Sequence, residues 1–367
     1  MTIAAAYKIG QIPALLSDVL MSGLGDGQHQ PIVTRVDLNE ALPPEWEVKV
    51  TGLYRKSLVI GPTLAIAVAG NGLTASVVFR ALKDAFSEDS PSKLALEVFL
   101  SNLDGVAKPA CTLVGWLVAD GVPRSFRWQS DQASTIEWDD DFVIGSGGDL
   151  LRTIAWSSRQ TEWHAITTFD HAQHYGLMQI SSLLVNELSN GQPVQNLFGG
   201  GYDLLLWDGA RFRHASSTSF IFLSRAYLQS QTKSLRDAAP IVLRQTEVDD
   251  CLVLRALIAE NQLGVTSDRH ERSAVIAPIT SLGRQHTLSR SHDWDDTPLI
   301  ADRVFVVIVG EGPTGQIEHW SGGVRDEEAR MFRIEKVEGT GRVRFMLPIQ
   351  ILDNMMAVAE AQFTRSR

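Results

Sequence analysis

The sequence predicts an α+β protein in which helices pack on antiparallel sheets, followed by further strand-rich chain. Three observations predict it. Segments through residue 214 run strands, helices, strands, helices, strands. Beyond residue 215 the pattern changes to apolar strand candidates separated by polar stretches. The 367 residues are 44% hydrophobic and 21% charged, a globular composition with enough length for a large core.

Taken in order, TIAAAY and IPALLSD read as short buried strands joined by a turn at KIGQ, a hairpin that brings Thr2 towards Asp18. Residues 23 to 45 are rich in turn formers and read as a surface insertion. WEVKVTGLYRKSLVIGPTLAIAVAG then gives strands ending at Gly70. In LTASVVFRALKDAFSE, Val77, Leu82 and Phe86 fall near helical spacing, with Thr74 as the expected N-cap. SPSKLALEVFLSNL reads as a second helix, opened by Ser90 with Pro91 at its first position. CTLVGWLVADGVPRSFRWQSD predicts a hairpin turning at ADGVP, and DFVIGSGGDLLRTIAW a strand, a tight glycine turn and a helix. A long helix follows in TTFDHAQHYGLMQISSLLVNELSNG, closed by Asn190-Gly191, before NLFGGGYDLLLWDGARFRH returns to strand and hairpin. FIFLSRAYL, SAVIAPI, ADRVFVVIVGEG and VRFMLP are the later strands expected, and QILDNMMAVAEAQF the last helix.

Composition also limits function. A net charge of -10 and a pI near 5.4 offer no basic face, so nucleic acid and anionic membrane are not expected partners. Cys111 and Cys251 lack CxxC spacing, which fits a reducing compartment. The start has no basic leader region, and Lys8, Gly10 and Pro13 interrupt its apolar run. The most apolar interior stretch, residues 57 to 70, is too short and too interrupted to span a bilayer. A cytoplasmic protein is therefore expected.

The chemistry centres on the first stretch, MTIAAAYKIGQIPALLSD. A threonine hydroxyl is a weak nucleophile unless a base sits beside it, and a residue's own α-amine is a compact way to supply one. That amine titrates near neutrality, at about 7.7 to 8.0. Thr2 has such an amine only after Met1 is removed, and the small side chain of threonine makes that removal chemically reasonable.

Several motifs share one pattern: TIAAAYKIG; SD and SG within 17 to 23; K-x3-I-x8-AG at 56 to 70; and IGSGG at 144 to 148. Together they resemble the proteasome β-subunit family of N-terminal nucleophile hydrolases, including its bacterial homologues. Asp18 lies sixteen residues after Thr2, and Gly70 fourteen after Lys56, the spacings the family keeps between nucleophile and acid and between lysine and oxyanion glycine. The resemblance covers roughly residues 1 to 210. It implies a four-layer αββα sandwich over 1–214, with 215–367 as a β-rich C-terminal extension or appended domain.

By the same resemblance Thr2 attacks the carbonyl, Lys56 paired with Asp18 tunes it, and the Gly70 N–H meets the oxyanion. Ser146 resembles the serine that bonds near the terminal amine, and Ser22 the hydroxyl residue along the substrate strand. The implied activity is peptide or amide hydrolysis through an acyl-enzyme, with no metal or organic cofactor. Its implied partners are a peptide or protein substrate, further copies of the chain in a homo-oligomeric ring, and an unfoldase of unspecified kind. Leu20 stands where the family has an arginine. Thirty-eight residues separate Asp18 from Lys56, far more than the family's gap, and the family's Asp-x-x-Ser-Gly is replaced near NLFGGGYD by glycines. Those departures support a second reading, a proteasome-like scaffold without turnover.

Other features read more simply. His171 and His174 sit three apart with no evident third metal ligand. GLGDG is not followed by the lysine and hydroxyl of a phosphate loop. The acidic runs at 138 to 141 and 292 to 296 fit solvated loops, and nine tryptophans fit core or subunit contacts.

Overall fold

The computed structural model describes residues 2–24, 32–34, 48–86, 90–103, 110–132, 135–158, 165–190, 192–224, 241–259, 271–282, 298–311, 317–337 and 342–365. Most of the turn-rich segment at 23 to 45, Gly191 and the acidic run at 292 to 296 lie outside the described residues. Two compact units are present. One comprises Met1–Pro31, Asp37–Ala215 and Ile279–Ser289; the other comprises Ile32–Val36, Ser216–Pro278 and Arg290–Arg367.

In the first unit, strands β1 (Ala4–Ile9) and β2 (Ile12–Asp18) form a tight hairpin, with Gly10 at φ +62° in its turn. Next come β3 (Leu20–Leu24), β4 (Val48–Leu53), β5 (Ser57–Ile60) and β6 (Leu64–Gly70). Helices α1 (Gly72–Ala85) and α2 (Lys93–Ser101) follow. Then β7 (Cys111–Ala119) and β8 (Val122–Gln129) turn at Asp120 and Gly121, both at positive φ as a two-residue hairpin loop requires. After β9 (Ile136–Trp138) and β10 (Phe142–Ile144) come helices α3 (Gly148–Ser158), α4 (Phe169–Asn190) and α5 (Gln192–Gln195). Strands β11 (Tyr202–Trp207) and β12 (Phe212–His214) complete the run.

The expected four-layer αββα sandwich is overturned. Such a stack has two sheets, whereas the described strands of this mixed α/β fold fall into five. Their orders are β10-β1-β2-β11-β12, β5-β6-β7-β8-β9, and the ribbon β3-β4, together with two sheets from the later chain. The physical reason lies in where backbone groups find partners. β3 and β4 pair with each other across a register shift at Met21/Ser22, and the later strands satisfy their ladders among themselves. There β13 (Thr218–Ser224), β14 (Ile241–Val248), β15 (Cys251–Ala259), β16 (Glu271–Ile279), β17 (Arg303–Glu311) and β18 (Ile317–Arg325) form a six-stranded sheet. Its β13–β17 pair is parallel. β19 (Arg333–Val337) pairs with β20 (Arg342–Met346).

Two clusters position the site. Ala4, Ala6 and Leu15 share a core with Ala65, Ala67 and Val114, and the small alanines let backbone approach backbone. Trp116 fastens this core by donating its indole N–H to the Ala14 carbonyl at 2.9 Å. Val78, Phe79 and Leu82 of α1 pack with Ile66, Val68 and Leu113. The α1 N-cap is Asn71, whose side chain accepts from the Thr74 N–H, so the helix starts earlier than a Thr74 cap implies. Ser92, not Ser90, caps α2 in the same way. In the second unit, Leu352, Met355, Ala359 and Phe363 form the buried face of helix Ile349–Arg365 and pack with Ile221, Val304 and Val306. Among the described residues, no helix is long and apolar enough to cross a membrane.

Candidate active site

The spacing from Thr2 to Asp18 is a consequence of hairpin register. Ala4 pairs with Ser17, so the strand ends place Asp18 opposite Ile3, and the Asp18 N–H donates to the Ile3 carbonyl at 3.1 Å. The Asp18 carboxylate turns back across the pair. Its Oδ1 accepts from the Ile3 N–H at 2.9 Å and from the Thr2 hydroxyl at 2.6 Å.

Register also explains the second spacing. β5 and β6 turn at Gly61, which has φ +55°, and the Val68 N–H donates to the Lys56 carbonyl at 2.9 Å. Lys56 therefore stands across from Val68, two residues before Gly70. Its ammonium donates to Asp18 Oδ1 at 2.8 Å and to Thr2 Oγ1. Thr2, Asp18 and Lys56 are 1%, 0% and 2% exposed, so the three polar groups meet out of bulk water. Burial pulls the Lys56 amine below its ordinary proton affinity, and the Asp18 charge and hydrogen bond push it partly back.

Gly70 ends β6 at φ +105°, where a Cβ would lie 2.8 Å from the Ala110 carbonyl oxygen. Thr2, Lys56, Gly70 and Ser22 line one pocket of about 190 Å³. The structure thus brings these four residues and Asp18 together.

Ser146 is placed differently. Its hydroxyl donates to the Asn196 carbonyl at 2.9 Å, and it is not among the residues lining the Thr2 pocket. The loop around it nonetheless shapes the site. The Gly147 N–H donates to the Thr2 carbonyl at 3.3 Å, and a Cβ on Gly145 would sit 2.0 Å from that same oxygen. Glycine is needed here for room.

Two groups escaped sequence reasoning. In the FGGGYD segment, Gly199, Gly200 and Gly201 all have positive φ, and the Gly199 N–H donates to Asp18 Oδ2 at 3.0 Å. Buried Glu187 of α4 supports this loop, accepting from the Gly200 N–H at 2.9 Å and from the Tyr202 hydroxyl at 3.2 Å. Burial, then the charges of Glu187 and Asp18, raise the Tyr202 phenol well above its usual range. The second group surrounds Asp203, next to Tyr202 on β11. Arg55 lies 3.3 Å from it, His214 Nδ1 lies 2.8 Å from it, and Ser57 donates to it. Burial alone would raise the Asp203 pKa, but Arg55 and His214 hold the carboxyl well below the usual range. Arg55 and Ser57 flank Lys56 in sequence, so this buried cluster fixes the backbone that carries the lysine. The only sequence signals were the Arg55-Lys56 pair and the glycine run, and neither names its partner.

His171 and His174 lie on α4, and among the described residues no group of three or more His, Cys, Asp or Glu side chains is arranged to hold a metal. Comparison of the chain with models of known protein families and with curated proteins finds no match to either.

Proposed function

We propose that the protein is an N-terminal threonine hydrolase, acting on peptide or amide bonds through Thr2 once Met1 is removed. The observation that carries this reading is the contact of the Thr2 hydroxyl with both members of a buried lysine–carboxylate pair. In the proposed reaction Thr2 Oγ1 attacks the substrate carbonyl carbon. Its proton passes by way of Lys56 to the free α-amine and then to the leaving nitrogen as the C–N bond breaks. Lys56 suits a relay because burial weakens its hold on a proton. The Gly70 N–H serves the oxyanion. Water then attacks the Thr2 ester, gives a proton back to Oγ1 through the same amines, and releases the acid.

The scheme calls on no metal or organic cofactor. The motifs of residues 1 to 210 align the reading with the proteasome β-subunit family, and with it we propose a homo-oligomeric assembly in the cytoplasm, where Cys111 and Cys251 stay reduced. The scaffold reading has two observations in its favour: Thr2 is only 1% exposed, and the Ser146 hydroxyl is engaged by Asn196. Intact mass and electrophile labelling separate the two. A demethionylated chain labelled at Thr2 by a threonine-directed epoxyketone supports the hydrolase. A chain whose mass retains Met1, or a demethionylated chain that takes no Thr2-dependent label, favours the scaffold.

A further inference from the structure

Beside the Thr2 pocket lies a larger cavity of about 490 Å³, and the two share Met21, Ser22, Asn71, Gly72 and Leu282. One wall comes from chain more than two hundred residues beyond the lysine. The Arg55 N–H donates to the Thr280 carbonyl at 2.8 Å, the Leu282 N–H donates to the Arg55 carbonyl at 3.0 Å, and Arg55 and Ser281 form a parallel bridge. The Ser281 hydroxyl donates to the Ser57 carbonyl at 3.2 Å, and Leu282 packs into the core beneath α1. Thr280–Leu282 is thus stitched to the backbone on both sides of Lys56.

The facing wall is α1. Leu73, Ser76 and Arg80 follow helical spacing and line the cavity together. Among the described residues, Arg80 is the one charged member of the lining, and no Asp or Glu contributes to it. The guanidinium Nε donates to the Ser76 carbonyl at 3.4 Å, and among the described residues Arg80 makes no ion pair. Ser22, Ser76, Thr280 and Ser281 line the same cavity, and Arg80 itself is exposed. A guanidinium at a cavity lined by hydroxyl residues, with no counter-charge among the described lining, suits a carboxylate.

We propose that this cavity is a substrate subsite, contiguous with Thr2, that binds a carboxylate of the peptide through Arg80 against the Thr280–Leu282 wall. The inference rests on the hydrolase reading for what the ligand is. The carboxylate comes from an acidic side chain or from a peptide C-terminus, and the test separates these sources.

The experiment measures dissociation constants of the full-length Thr2→Ala protein for dye-labelled peptides, by anisotropy at low and high salt. Glutamate or glutamine is scanned through each position, in free-acid and C-terminally amidated forms. The expected result is about threefold to fivefold tighter binding of one carboxylate form at low salt, reduced at high salt. Arg80→Gln removes the preference, Arg80→Glu reverses it, and Lys83→Gln, on the same helix but outside the cavity, leaves it unchanged. Equal binding of all forms, absence of binding, a preference that survives Arg80→Gln, or its equal loss in Lys83→Gln overturns the subsite. Cleavage by the unaltered protein reads the other question. Arg80-dependent binding without Thr2-dependent cleavage sinks the hydrolase reading alone, and cleavage without Arg80-dependent binding sinks the subsite alone.

Discussion

Lys56 Nζ lies 2.8 Å from Asp18 Oδ1, and both groups also touch the Thr2 hydroxyl. Three side chains from three strand ends therefore share one buried contact. Removing the hydroxyl leaves the ion pair intact, whereas removing either ion strands the other.

Thr2→Ala is accordingly expected to be nearly neutral for folding and to abolish Thr2-directed labelling and peptide hydrolysis, by at least about a thousandfold. Thr2→Ser keeps the hydroxyl and retains measurable turnover. Thermal melts beside single-turnover assays check both halves. Turnover that persists in Thr2→Ala removes this residue from the reaction.

Lys56→Met tests the pair from the other side. Among the described residues it leaves buried Asp18 with the Thr2 hydroxyl and two backbone N–H donors, at an expected cost of about 3 to 5 kcal/mol in denaturant unfolding. Lys56 also sets an expected pH response. Its proton affinity in the fold lies below its unfolded value, so between the two values the unfolded chain binds more protons and stability rises with pH. Hydrolysis is expected to rise in step as the lysine loses its proton, with a midpoint below the ordinary lysine range. A pH–rate profile that is flat through that window removes Lys56 from the proton relay.

Asp203→Asn addresses the cluster behind the lysine. The native carboxyl is held below its unfolded pKa, so its contribution is complete above the ordinary carboxylate range and fades as pH falls through the folded value. The variant takes away the Asp203 charge that lies 3.3 Å from buried Arg55. A loss of about 3 to 5 kcal/mol is expected at neutral pH, narrowing in acid. Equal destabilisation at pH 3 and pH 7 in parallel urea titrations contradicts this ion-pair role.

Much of the site was legible because hairpin arithmetic is local. KIGQ turns β1 into β2, so a separation of sixteen positions between Thr2 and Asp18 closes to a 2.6 Å hydrogen bond, and the Gly61 turn brings Lys56 and Gly70 to the lining of one pocket. The caps moved by only two or three residues, since Asn71 and Ser92 outcompete Thr74 and Ser90 for the same role. Long-range pairings left no local trace. Nothing in TSL at 280 to 282 says that it binds the Arg55 backbone, and nothing in Glu187 says that it holds a glycine loop. The four-layer expectation failed for this reason: strands such as β14, β15 and β18 carry ordinary mixed sequence and gain their identity from partners in the six-stranded sheet.

Gly145 offers the sharpest separation of loop geometry from serine chemistry. Its φ of +90° disfavours any side chain, and a Cβ would press to 2.0 Å from the Thr2 carbonyl oxygen. Gly145→Ala must therefore push back the backbone that presents the proposed nucleophile, with an expected stability loss of about 1 to 3 kcal/mol and a fall in Thr2 labelling of about a hundredfold. Ser146→Ala removes only a hydroxyl bonded to the Asn196 carbonyl, so labelling is expected to change less than about tenfold. Measured together on matched, folded protein, the two rates say which feature of IGSGG matters: a larger defect in Ser146→Ala than in Gly145→Ala transfers the role from the room the glycine leaves to the hydroxyl beside it.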